Sequence, residues 1–247
     1  MTQKLFLRPN WPAPKNIKSL VTLRKGSTLH ENLNDFNMSL KINNNLCRVM
    51  KNHLTLNETA NLPTKPMWLN QTHSDIIISS TDYTEKISGD ACFTNKINKV
   101  CAILTADCLP ILICNKKGDF VSAIHAGWRG LGKKIISKTL NKTQESSENL
   151  IVWLGPAIGP NYFEVGNDVK STFIKINEKY ESAFNLTKKN TWMCDIYTIA
   201  RIELEQHNIT NVYGGEYCTY SNSDMFYSYR REGKLAGRMA SLIWISD

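Results

Sequence analysis

Histidine is scarce in this 247-residue chain, which has only five. A four-copper oxidase centre takes roughly ten His ligands together with a Cys, so five cannot build one. Long apolar runs are missing too. No stretch approaches the ~18 consecutive apolar residues of a membrane span, so no membrane partner is expected. The opening Met1 to Pro9 has no apolar core of about 7–15 residues, and no secretory signal is read there. A cytoplasmic location is the expectation, and the seven Cys then read as thiols or metal ligands rather than a disulfide framework. Internal repeats, low-complexity tracts and linkers are also absent, which points to one domain over residues 1–247.

What the sequence does carry is a cationic excess. Lys plus Arg is 30 against 22 for Asp plus Glu, a formal charge of +8. The basic residues are scattered, as at Lys116-Lys117, Lys133-Lys134 and Arg230-Arg231. Without a basic cluster or a zinc-finger or RNA-binding signature, a solvated lysine-rich surface is read and no nucleic-acid partner is expected.

Hydrophobic patterning places the elements. Strands are expected at 19–24, 66–69, 76–78, 100–104, 109–114, 120–124, 150–154, 212–216 (ending in a turn) and 239–245. Helices are expected at 46–54, 131–140, 165–176 and 197–207. The polar stretch 141–149 reads as a loop. Strands and helices mix without regular βα alternation. The expected fold class is therefore α+β, a single domain of mixed sheets flanked by helices.

Three reactive side chains fall beside turns. Cys108 interrupts two apolar strands, and His125 ends the next strand. The hairpin 109–124 returns the chain to its start, so Cys108 and His125 should be neighbours. His73 follows the short run ending at Leu69 and is not placed by that argument. If the three converge, a thiolate and two imidazoles suit Zn²⁺ with an open fourth position. The same residues also allow a Cys108 nucleophile with His125 as its base, or a buried Cys and two hydrogen-bonded His with no chemistry. Next to His125, Gly127, Arg129 and Gly130 at a helix start suit a phosphate or carboxylate. The prolines of Gly155-Pro-Ala-Ile-Gly-Pro160 make a rigid turn there more natural than a phosphate cradle. Arg230 and Arg238 offer further cationic recognition, and Cys218 reads as structural.

Taken in order, Asn70-Gln-Thr-His73, Gly89-Asp-Ala91, Thr105-Ala-Asp-Cys108, His125-Ala-Gly-Trp-Arg-Gly130, Gly155-Pro-Ala-Ile-Gly-Pro160, Glu164-Val-Gly166 and Ser228-Tyr-Arg-Arg with Gly237-Arg238 resemble the YfiH-like laccase-domain family. That family is also described as polyphenol oxidase, purine nucleoside phosphorylase and peptidoglycan editing factor. The resemblance runs from about residue 24 to the C-terminus. It implies a metal site of His73, Cys108 and His125, which are also the catalytic residues, with Zn²⁺ as cofactor and Cu²⁺ as the alternative ion. It implies an α+β fold related to cysteine hydrolases. Purine nucleosides (adenosine, inosine, guanosine, methylthioadenosine) and phosphate become the expected partners of a monomer, with adenosine deamination as a second activity. Two alternatives are a Cys/His hydrolase acting on peptidoglycan precursors and copper-dependent polyphenol oxidation.

The family often has Cys after its Gly-Pro where this chain has Asn161. The family's Asn-Arg pair on the early helix aligns with Met50-Lys51, so the expected anion contact is either weakened or moved to Arg48. Substrate contacts are thus expected from Arg129, Arg48 and Arg230, with Trp128, Phe226 or Tyr229 stacking on the base. The zinc-deaminase pattern His-x-Glu…Pro-Cys-x-x-Cys is absent, so a deamination would use a different constellation.

Overall fold

The computed structural model describes residues 5–24, 36–42 and 46–247. In chain order these form β1 (Phe6–Leu7), β2 (Ile17–Thr22), α1 (Leu46–Thr59), β3 (Ile77–Ser79), β4 (Ala91–Thr94), β5 (Val100–Thr105), β6 (Leu109–Asn115) and β7 (Val121–Ala126). Next come α2 (Trp128–Gly132), α3 (Ile135–Leu140), β8 (Leu150–Leu154), β9 (Glu164–Gly166), α4 (Asn167–Ile174), β10 (Phe184–Lys188) and β11 (Thr191–Cys194). The chain ends with α5 (Ile196–Gln206), β12 (Val212–Gly214), α6 (Tyr229–Glu232) and β13 (Met239–Ile245).

Two sheets stack at the centre. One is ordered β1-β2-β13-β5, the other β12-β8-β6-β7-β4-β3, and β10-β11-β9 makes a small third sheet. The central strands are apolar on both faces because both faces are covered. Along β6, Leu109, Ile111 and Ile113 pack against α3, α4 and α5 with Phe173 and Leu204. The alternate residues Leu112 and Cys114 face Ile103, Met239 and Ile243 of the other sheet. The outer face of that sheet, with Leu20, Ala102 and Leu242, takes Leu56 of α1. The four-stranded sheet is antiparallel throughout, the six-stranded one is mixed with β12–β8 and β3–β4 parallel, and the fold is α+β as expected.

Some elements differ from the periodicity. The helix expected over 131–140 is broken into α2 and α3, because Lys134 turns left-handed at φ +61°. Gly130 and Gly132 weaken the helix there, and the turn buries Ile135 and Ile136 completely. The strand expected at 66–69 is reduced to a single bridge, Met67 to Cys101, with another just beyond it, Asn70 to Ser88. Pro66 has no N–H to extend a ladder. The helix expected from 165 starts at Asn167, its first residues being taken by β9. No helix among the described residues is long and apolar enough to cross a membrane.

Candidate metal centre

β6 and β7 pair antiparallel with Leu109 opposite Ala126. Cys108 and Gly127 therefore face each other at the open end of the hairpin. Cys108 lies where the chain passes from β5 in one sheet to β6 in the other. β4 pairs antiparallel with β7, with Ala91 opposite Ile124. That register puts Asp90 beside His125, whose backbone N–H donates to the Asp90 carbonyl at 2.7 Å. His73 arrives on a loop fastened to β5 by Gln71. The Gln71 side chain donates to the Leu104 carbonyl at 2.8 Å and accepts from its N–H at 2.7 Å, as a strand edge does. His73 itself is left-handed, at φ +59°.

The ligand atoms of His73, Cys108 and His125 all lie within 4.8 Å of one another. Cys108 Sγ is 3.7 Å from His73 Nε2. A tetrahedral zinc with ordinary Zn–S and Zn–N bonds separates S and N by about 3.6 Å, so the donor set fits that ion. His125 directs Nδ1 to Asp90 Oδ1 at 2.7 Å, which leaves Nε2 for the cluster. Gly127 makes room. A Cβ at this position would lie 2.9 Å from Cys108 Sγ and 3.1 Å from His73 Cδ2. Gly127→Ala is expected to cost about 1–3 kcal/mol of overpacking, felt at the ligands. Zinc affinity measured by chelator competition should fall, and wild-type affinity in this variant would contradict the crowding.

Burial alone would raise the Cys108 thiol, but the charge and hydrogen bonds of His125 and His73 bring it down to about 6. Burial would likewise depress His125, yet the Cys108 thiolate and Asp90 carry it up to about 9. For Asp90, burial is outweighed by hydrogen bonds from His125 and Ser74, which hold the carboxyl well below the usual range. Without metal the pair is thus a thiolate–imidazolium couple. Cys108 contributes stability above its unfolded value of 9.0, lost as pH falls through about 6. His125 contributes below its unfolded 6.5, lost as pH rises through about 9. Between 6.5 and 9 the folded and unfolded pairs each hold one proton, so the couple adds almost no pH slope to unfolding. Alkylation of the metal-free protein by iodoacetamide should nevertheless rise with a midpoint near 6 rather than near 9. Peptide mapping of the Cys108 adduct across pH checks this, and a midpoint near 9 would contradict the couple.

The trio opens into a cleft of about 1590 Å³. Arg129, Arg230 and Arg238 line it with the three ligands. Arg129 stacks on Trp128, 4.4 Å from the ring centroid. Arg230 is held by the carbonyls of Tyr162 (3.1 Å) and Glu164 (2.9 Å). Arg238 is half-buried, bonded to the carbonyls of Ala236 and Gly237, and near enough to feel the charge of Cys108. The opposite wall is apolar. α1 buries Val49 and Leu56 against the sheet and leaves Leu46, Met50 and Leu54 exposed, all three lining the cleft.

The structure brings together His73, Cys108, His125, Arg129 and Arg230, with Trp128 and Tyr229 nearby. Arg48 stands on α1 but is not among the residues lining the cleft. Phe226 is fully buried between the sheets and is not positioned to stack on a ligand. The periodicity assigned no role to Asp90 or to Asp107. Asp107 accepts from Thr219 Oγ1 (2.6 Å), Ser228 Oγ (3.1 Å) and the Arg230 N–H (2.6 Å). The available signal was an acidic residue directly before a strand or a ligand, in Gly89-Asp-Ala91 and Ala106-Asp-Cys108.

Known proteins match this chain in sequence and fold. Residues 18–246 match the family described as multi-copper polyphenol oxidoreductase laccase. The purine nucleoside phosphorylase YfiH of Escherichia coli K12 is 39% identical over 239 residues, covering 96% of this chain and 97% of that protein. A purine nucleoside phosphorylase of Haemophilus influenzae is 39% identical over 240 residues, covering 96% and 98%. The crystal structure of Neisseria meningitidis protein NMB0706 superposes with a TM-score of 0.92 at 36% identity, covering 99% of this chain and 100% of that one. With the fold and sequence matched over nearly the whole length, this chain belongs to the laccase-like family that includes the YfiH proteins.

Proposed function

We propose that the chain is a zinc-dependent purine nucleoside phosphorylase acting on adenosine, inosine, guanosine or methylthioadenosine, with adenosine deamination as a side activity. The observation that carries this reading is a Cys-His-His metal set within one cleft beside three arginines. The names of the relatives support it. In phosphorolysis a phosphate oxygen bonds to the ribose C1′ while the C1′–N9 bond breaks, giving ribose 1-phosphate and the free purine. Arg129, Arg230 and Arg238 would hold the phosphate charge at the ligand end of the cleft. Asp107 fixes the Arg230 backbone from beneath. Trp128 and Tyr229 would flank the base. Zinc bound by His73, Cys108 and His125 would supply Lewis-acid charge at that end. All three ligands come from one chain, which suits a monomer, and seven free cysteines suit the reducing cytoplasm.

A nucleoside panel tests the proposal, with and without phosphate, on wild type and His125→Ala. Free base that appears only with phosphate, and is lost in the variant, supports phosphorolysis. Inosine formed from adenosine without phosphate marks deamination. No base from any purine nucleoside with zinc present would reject the phosphorylase reading.

One observation favours a second reading. The lowered Cys108 thiol beside His125 is also the couple of a Cys/His hydrolase, for instance in peptidoglycan-precursor editing. A metal-free preparation that is active and is stopped by iodoacetamide would favour it. Copper in the same three donors would outcompete zinc. It would be one ion, since the trio is the single cluster of at least three such ligands among the described residues.

A further inference from the structure

Asp90 is fully buried and takes only donors. Its Oδ1 accepts from His125 Nδ1 at 2.7 Å and from the backbone N–H of His73 at 3.0 Å. Its Oδ2 accepts from the backbone N–H of Thr72 at 3.2 Å and of Ser74 at 2.6 Å, and from Ser74 Oγ at 2.6 Å. One carboxylate therefore serves two ligand-bearing segments that are far apart in sequence. It holds the left-handed His73 backbone in place. It also requires the Nδ1 proton on His125, which leaves the Nε2 lone pair for the cluster.

We propose that Asp90 is the positioning residue that couples the two histidine ligands, so that a single isosteric loss of its charge disables both. The reason lies in the donor count. An amide has one acceptor and one donor end. With its oxygen towards His125, its NH₂ meets the N–H groups of Thr72 and Ser74, and the loop carrying His73 is pushed away. Turned over, its NH₂ meets His125 Nδ1 and the His73 N–H. His125 must then carry its proton on Nε2, where the metal would bind. Neither orientation satisfies both segments.

The inference rests on a metal occupying the trio and not on the nucleoside reading, so its test needs no turnover. Zinc affinity is measured by chelator competition for wild type, Asp90→Asn and Ser74→Ala. Asp90→Asn should lose at least about 10–100-fold. Ser74→Ala removes one contact but keeps every donor to Oδ1, and should stay within about threefold. In ¹⁵N-correlated spectra of the zinc-loaded wild type, His125 should show a protonated Nδ1 and a metal-bound Nε2. Wild-type zinc affinity in a folded Asp90→Asn, or a proton on His125 Nε2 in the wild type, would overturn the proposal. If Asp90→Asn does not fold, the wild-type spectrum together with Ser74→Ala decides it.

Discussion

On the proposed reading as a zinc-dependent phosphorylase, Cys108→Ala is expected to purify without zinc and to lose about 10³-fold in turnover. The thiolate is the one anionic ligand of the three, and its negative charge opposes that of the metal. Two imidazoles alone leave a dication without the charge balance that selects zinc. Loss of Lewis-acid stabilisation is worth several kcal/mol, and ~4 kcal/mol is about 10³ in rate. The structural cost should be small. Cys108 is only partly buried and faces Gly127 across the hairpin end. Metal analysis of protein prepared without added zinc, alongside phosphate-dependent base release, checks both effects. Retained zinc at one per chain would reject Cys108 as a ligand. Lost zinc with unchanged turnover would keep the ligand and reject the metal-dependent reaction.

Half of the site was legible from antiparallel geometry alone. Two apolar strands joined by Lys116-Lys-Gly-Asp119 form a hairpin, and residues flanking a hairpin meet at its open end. The register of β6 and β7 does place Cys108 and His125 there. His73 was not legible in this way, because what brings it in is not strand pairing. It is a left-handed residue on a loop held by the Gln71 side chain and the buried Asp90. Those contacts span 33 and 17 positions along the chain and leave no periodic trace. Arg48 shows a different limit. Helix periodicity fixes which residues of α1 share a face, but it does not say which face meets the cleft. The structure gives that place to Leu46, Met50 and Leu54.

The third sheet escaped pattern reading for a related reason. β10 buries Phe184 and exposes its next four residues, so it lacks an alternating apolar face. Its pairing with β11, and that of β11 with β9, is carried by the backbone ladder. The core strands β8 and β13 were read at their true limits, since both are predominantly apolar and buried from end to end.

Asp107→Ala is the stability change with the largest expected effect among those at the cleft, about 3–5 kcal/mol. The carboxylate is the common acceptor for Thr219, Ser228 and the Arg230 N–H. Those donors come from the C-terminal segment, more than 100 positions away in sequence. Removing the acceptor leaves buried donors unpaired at about 1–3 kcal/mol each, softened where a hydroxyl can turn elsewhere. Backbone strain adds to this. Asp107 is left-handed at φ +86°, a conformation that Asp tolerates through local hydrogen bonds and Ala does not. For a domain of this size each kcal/mol shifts the melting midpoint by about 2–4 °C. A loss of ~4 kcal/mol should therefore lower it by about 8–16 °C. Asp107→Asn separates the two causes. It keeps the left-handed tolerance and one acceptor for Thr219, but it turns a donor towards the Arg230 N–H. Its loss should be about half that of alanine. Equal melting of Asp107→Asn and wild type would show that the charge contributes nothing. Equal losses in the two variants would assign the whole effect to the carboxylate and none to the backbone.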